Sequence, residues 1–99
     1  MGTYITLLNY TDQGIRNVQE TTKRAQAFTS MAGKVGAKVR DVFWTLGEFD
    51  LVGIVDAPDD ETAVALLLGV GSMGNVRSQT LRAFSADEMK GVLAKIPKA

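Results

Sequence analysis

The chain has no cysteine and no histidine among its 99 residues. That excludes disulfides, thiol nucleophiles, histidine bases, histidine-ligated haem and zinc sites of the usual kind. Any acid–base chemistry would fall to carboxylates, lysine or tyrosine, and any metal would need oxygen ligands. A surplus of charge is also missing, because 11 basic residues balance 11 acidic ones. No basic field exists to draw nucleic acid or an anionic membrane surface. Arg16, Lys23, Arg24 and Lys34 form a modest basic strip, which a solvated helix face explains better than a nucleic-acid contact. No apolar run approaches the length that spans a membrane. Met1 leads straight into Thr3-Tyr4-Ile5-Thr6-Leu7-Leu8, which is strand-like and too short for a secretory core. These absences point to a cytoplasmic protein without a nucleic-acid or membrane partner, and nothing in the composition asks for a cofactor.

What is present suffices for one core in one domain spanning residues 1–99, since 45% of the chain is hydrophobic. The most informative stretch is Phe43-Trp44-Thr45-Leu46-Gly47-Glu48-Phe49-Asp50. Gly47-Glu48 between two apolar runs predicts a hairpin on a two-residue type II′ turn, whose first position needs a positive φ. That register sets Leu46 against Phe49, Thr45 against Asp50, Trp44 against Leu51 and Phe43 against Val52. One face then carries Arg40, Val42, Trp44, Leu46, Phe49, Leu51 and Val55, with Gly53 leaving room beside the indole. The other carries Asp41, Phe43, Thr45, Asp50, Val52, Ile54 and Asp56. Both faces are apolar at their centres, unlike a sheet with one wet side. A second copy of the chain is the simplest cover for the extra face. Thr45 and Asp50 fall at a non-hydrogen-bonded pair, where side chains lie closest. The hydroxyl either satisfies the carboxylate beside the turn, or leaves Asp50 facing a ligand.

In chain order, Thr3 to Tyr10 predicts a first strand. Thr11 or Asp12 caps a helix whose stripe is Ile15, Val18, Ala25, Phe28, Ala32 and Val35, interrupted by Thr22, with Gly36 as its stop. Strands are expected from about Lys38 to Leu46 and from Phe49 to Ala57. Pro58-Asp59-Asp60-Glu61 opens a second helix, its acids suited to the positive N-terminal end. A carboxylate metal site is the alternative there. Ala63, Leu66, Leu67 and Val70 form that helix's buried stripe. Gly69, Gly71 and Gly74 spell a dinucleotide-type glycine pattern, but they follow a helix and precede a strand, the reverse of that context. Asn75 to Phe84 is a polar fourth strand, suited to an edge or a lined cavity, with Thr80 and Arg82 on one face. Ser85-Ala86-Asp87-Glu88 is a capping box for a short last helix with stripe Met89, Val92, Leu93 and Ile96. The fold class is α+β: a ferredoxin-like βαββαβ unit with a four-stranded antiparallel sheet and a short C-terminal helix.

Four separated blocks are familiar. Tyr4 to Gly14, Trp44 to Asp50, Asp56 to Asp60 and Gly74 to Phe84 resemble the bacterial and archaeal GYD domain family. The second block is the one that gives the family its name. Gly47 and Asp50 match it, while Phe49 stands where a tyrosine is usual, so the ring is kept and the phenol lost. The resemblance implies a dimeric α+β barrel, in which two ferredoxin-like sheets face each other. It implies no particular reaction.

Three readings of function stay open. The first is a homo-oligomeric domain that binds a small molecule, lined by Tyr10, Thr45, Asp50, Thr80 and Arg82 with Trp44 as a wall. The second is a cofactor-free enzyme of oxygenase or isomerase type, with Asp50 as base and Arg82 as anion stabiliser. The third is a structural assembly module. In each the expected partner is the chain itself, as a homodimer or higher oligomer.

Overall fold

The computed structural model describes residues 1–99. Strand β1 (Gly2–Tyr10) leads to a short helix α1 (Asp12–Arg16), a 3-10 turn at Val18–Glu20 and the long helix α2 (Thr21–Lys34). Strands β2 (Lys38–Trp44) and β3 (Leu51–Ala57), helix α3 (Asp60–Ser72), strand β4 (Val76–Ala83) and helix α4 (Ala86–Ala94) follow. The sheet order is β2-β3-β1-β4 with every neighbouring pair antiparallel. This is the ferredoxin-like order: the first and third strands sit in the middle and each strand–helix–strand unit crosses over one neighbour. No helix is long and apolar enough to cross a membrane.

Strand periodicity decides the two sheet faces. On one, Tyr4, Thr6, Leu8, Leu51, Val55 and Ala57 are buried beneath α2 and α3. Phe28 and Ala32 from α2 and Ala63, Leu66 and Leu67 from α3 complete that core. Leu66 retains 2% of its surface, a burial that contributes about 1.5–3 kcal/mol. On the other face Ile5, Leu7, Val52 and Ile54 are half-buried and no helix covers them.

The expected single first helix is broken. Thr11 caps α1 as its side chain accepts from the Gly14 N–H. The Thr11 N–H also donates to the Asn75 carbonyl at 3.1 Å, which pins α1 to the α3–β4 loop. A Cβ on Gly14 would lie 1.9 Å from that carbonyl oxygen, so only glycine allows the approach. Helix α2 instead follows the sheet. Of the predicted stripe only Phe28 and Ala32 are buried, while Ile15 and Val35 are exposed. Gly36 does end α2, at φ +76°. The Ala37 and Gly36 N–H groups donate back to the Ala32 and Gly33 carbonyls, a Schellman closure.

The hairpin keeps part of its expected register. Trp44 pairs with Leu51 and Phe43 with Val52. Leu46 and Phe49 do not extend the ladder; β2 stops at Trp44, β3 starts at Leu51, and residues 45–50 form a wider loop with Gly47 at φ +118°. A bulge between Val39 and Asp41 moves Arg40 off the Trp44 face. Arg40 pairs instead with Asp56 at 3.1 Å and donates to the Thr3 hydroxyl on the uncovered face. Gly53 makes room for Thr6 and Phe28 rather than for the indole.

Helix α4 has its capping box, but it buries none of its residues. Met89, Val92, Leu93 and Ile96 all stay exposed. The molecule measures 53 × 31 × 19 Å with a radius of gyration of 15.1 Å, against about 13 Å for a compact chain of this length.

Candidate functional site

Four of the six residues singled out from the sequence meet at one end of the sheet, where β1 ends and β3 begins. The Asp50 N–H donates to the Leu8 carbonyl at 2.9 Å, and the Asp50 carboxylate accepts from the Tyr10 N–H at 2.9 Å. Asp50 thus ties β3 to the last residue of β1. The Thr45 N–H donates to the Asp50 carbonyl at 2.9 Å, and the Thr45 hydroxyl donates to the Phe49 carbonyl. The expected hydroxyl–carboxylate pair at a non-hydrogen-bonded position is therefore absent. The wider loop turns Thr45 toward its own backbone, and the β1 terminus claims the carboxylate.

Tyr10 and Trp44 converge on a residue the sequence did not single out. The indole N–H of Trp44 donates to the Thr21 hydroxyl oxygen at 2.9 Å, and the Tyr10 and Thr21 hydroxyls share a bond of 3.0 Å. One hydroxyl can serve both, because it carries one donor and two acceptor sites. Thr21 opens α2, so it links that helix to both β1 and β2. No sequence pattern marks it, since it lies off the apolar stripe.

Thr80 and Arg82 lie elsewhere. They share a face, as expected, and it is the helix-covered one, where they stand opposite Thr6 and Tyr4. The Thr80 hydroxyl donates to the Thr6 hydroxyl at 3.2 Å. The Arg82 guanidinium lies 4.6 Å from the Phe84 ring centre and 5.6 Å from that of Tyr4, and it pairs with Glu88 at 3.2 Å. The Ser85 N–H and this guanidinium hold the Glu88 carboxyl below its usual range. Arg82 braces the start of α4. Asp50 sits beside Asn9, to whose side chain it donates at 3.2 Å. Tyr4 and Asn9 are five positions apart on β1, roughly 17 Å at strand rise. Asp50 and Arg82 therefore do not converge on one substrate.

Beside the Tyr10–Thr21 junction an apolar cleft of about 90 Å³ opens between α2, the end of α3 and the sheet. Leu8, Phe28, Met31, Leu51, Val70 and Val76 line it, with Thr21, Arg24 and Asn75 as its polar residues. Of the predicted residues only Tyr10 reaches it. Its methionines gave no sequence signal, because Met31 lies outside the predicted stripe and Met73 sits in a glycine-rich stretch. No cluster of three or more acidic side chains able to hold a metal ion is formed.

A family model described as the GYD domain matches residues 4–93. The chain belongs to the GYD domain family. A glutamine synthetase and cystathionine beta-lyase binding protein of Thermus thermophilus is 28% identical over 90 residues, covering 90% of this GYD chain and 95% of its own. The crystal structure of TTHA0845 from Thermus thermophilus is 27% identical, with a TM-score of 0.57 over 87% of this chain and 96% of that one. An FFRP crystal structure superposes with a TM-score of 0.59 at 19% identity, over 85% of this chain and all of its own, which is a likeness of fold.

Proposed function

We propose that this GYD domain is a homo-oligomeric binding module, in which two copies stack their uncovered sheet faces into a dimeric α+β barrel and the assembly binds other proteins. The observation that carries the reading is the uncovered face itself. Ile5, Leu7, Val52 and Ile54 form its centre, and Phe43 and Leu81, 52% and 42% exposed, extend it onto the edge strands. Soluble monomers seldom leave a broad contiguous apolar patch to water. A second sheet packed about 10 Å away would bury all six side chains.

Binding of other proteins is supported by the Thermus thermophilus relative, whose name describes binding to glutamine synthetase and cystathionine beta-lyase. The cofactor-free enzyme reading has less support. The Asp50 carboxylate is taken by the Tyr10 amide and the Arg82 guanidinium by Glu88.

Native mass spectrometry tests the pairing. The wild-type chain is expected as a dimer or a larger even oligomer, and Ile54→Lys as a folded monomer with unchanged helix content. A wild-type chain that stays monomeric at micromolar concentration would sink the barrel. Capture by purified glutamine synthetase tests the partner class separately, with retention of the wild-type chain expected and no retention counting against it.

A further inference from the structure

We infer that the cleft between α2 and α3 is a binding site for a small branched aliphatic carboxylate, whose tail fills the cleft and whose carboxylate meets Arg24. Two independent observations lead there. One is the cleft. It is a partly open cleft of about 90 Å³, and a concave apolar site of this kind is where small ligands bind. Its wall is almost wholly apolar: Leu8, Phe28, Met31, Leu51, Val70 and Val76 surround it, and Gly53 contributes no side chain to its floor. Water held against the apolar part of this wall would lack the two to four polar partners it needs. An apolar group needs none. At about 30 Å³ per water-sized group, the space suits a branched tail of about three or four carbons. Met31 and Met73 are pliant enough to close around it.

The other observation is Arg24. It is half-buried, it lines the cleft, and it forms no ion pair with any carboxylate of the chain. The other half-exposed arginine–carboxylate contacts, Arg40–Asp56 and Arg82–Glu88, show what the chain does with a guanidinium when an acid is in reach. Arg24 donates to the Asn17 and Gly14 carbonyls, each at 3.1 Å. Those two bonds, to carbonyls at the C-terminal end of α1, use two of its five N–H groups, and no carboxylate pairs with its charge. A guanidinium suits a carboxylate because their hydrogen bonds are charge-assisted and their planar geometries match. An apolar cleft with an arginine among its lining residues suits an amphiphilic monoanion.

A second copy is a poorer occupant. The cleft lies on the helix side of the sheet, opposite the face proposed for pairing, so barrel assembly leaves it free. Helix α4 of the same chain starts at the far end of β4, beside Arg82 and Tyr4, whereas the cleft adjoins Val76 and Tyr10. The site therefore stands or falls independently of the oligomer.

The test is a titration of the wild-type protein with 3-methylbutanoate, read from backbone amide resonances. Saturable shifts at Phe28, Val42, Leu51 and Gly53 are expected. The neutral isostere 3-methylbutanamide should bind about tenfold more weakly, the usual weight of a charge-assisted hydrogen bond. Arg24→Gln should lose the same factor, and Arg24→Lys should keep more of the affinity than Arg24→Gln. Ala25→Leu, which extends a cleft-lining side chain into the space, should abolish binding while the thermal transition is retained. No saturable shift with 3-methylbutanoate would overturn the site, and equal affinity for acid and amide would overturn the role of Arg24. The comparison of acid with amide uses the wild-type chain, so it holds even where a variant at Arg24 fails to fold.

Discussion

The phenol of Tyr4 donates to the Asp60 carboxylate, fastening the start of β1 to the first turn of α3. The bond is made beneath the Arg82 guanidinium, with the tyrosine itself buried. The hydrogen bond to Asp60, reinforced by burial and by the charge of that carboxylate, raises the Tyr4 pKa above the ordinary tyrosine value.

A raised folded-state pKa means that the fold favours the neutral phenol. Its contribution to stability is fully present below the unfolded pKa of about 10, and is lost as pH rises through the folded value. Alkaline titration of tyrosinate absorbance should therefore show a late component that Tyr4→Phe removes. A titration curve with the same late component in Tyr4→Phe would assign it elsewhere.

Thr21, at the start of α2, hydrogen-bonds both Tyr10 and Trp44. Thr21→Val keeps the shape and removes both hydrogen bonds. The expected cost is about 1–2 kcal/mol, read as a lower urea midpoint at unchanged slope. Trp44 is the chain's only tryptophan, so its fluorescence should change in the native state. Thr21→Ser keeps the hydroxyl and should retain most of the stability.

Two glycines in neighbouring helices should respond in opposite directions. In Gly14→Ala the new Cβ would meet the Asn75 carbonyl, which is backbone and cannot swing aside. A loss of about 3 kcal/mol is expected, with α1 pulled from the α3–β4 loop. Around Gly33, inside α2, a Cβ would meet nothing within 4 Å. Gly33→Ala should gain about 0.5–1 kcal/mol from helix propensity. Thermal unfolding of the two variants checks both signs.

Acid should weaken the helix starts. The Thr62 side chain and then its backbone N–H hold Asp59 below its usual carboxylate value, and the Ser85 N–H with Arg82 does the same for Glu88. Folded pKa values below the unfolded ones give stability that is present above the unfolded range of about 4 and lost as pH falls through the folded values. Asp59→Asn should show a shallower loss of stability through that window. Equal acid slopes for wild type and Asp59→Asn would remove Asp59 from the account.

The amphipathic stripes of α3 and α4 look alike in sequence and differ in the fold. Leu66 is almost fully buried, while Leu93 is 53% exposed. Leu66→Ala should cost about 2–5 kcal/mol, and Leu93→Ser less than about 0.5 kcal/mol in the isolated chain. Chemical denaturation distinguishes them.

Local chemistry was legible wherever a few adjacent residues decide it. Thr11, Asp59 and the Ser85–Glu88 box cap the helices that their side chains predict, because a cap satisfies backbone groups within three residues of itself. Gly36 ends α2 for the same local reason. The alternation along β1 and β3 likewise follows from a period of two, and with the order of elements it determined the ferredoxin-like sheet.

Only the tertiary structure decided how distant segments share partners. Helix α1, separate from α2, is held to the Asn75 carbonyl, far along the chain. The Arg40 bulge follows no local pattern and is accommodated by Asp56 and Thr3 across the sheet. Asp50 bonds to the end of β1 rather than to its hairpin neighbour Thr45, and Thr21 earned its place only when Tyr10 and Trp44 came within reach of it. The cleft belongs to this class too: its 15 lining residues come from all four strands, from α2 and α3 and from the α3–β4 loop, and they enclose a space that no one segment encodes. Local order follows from backbone groups satisfied nearby, while a site is made by side chains that only the finished fold brings together.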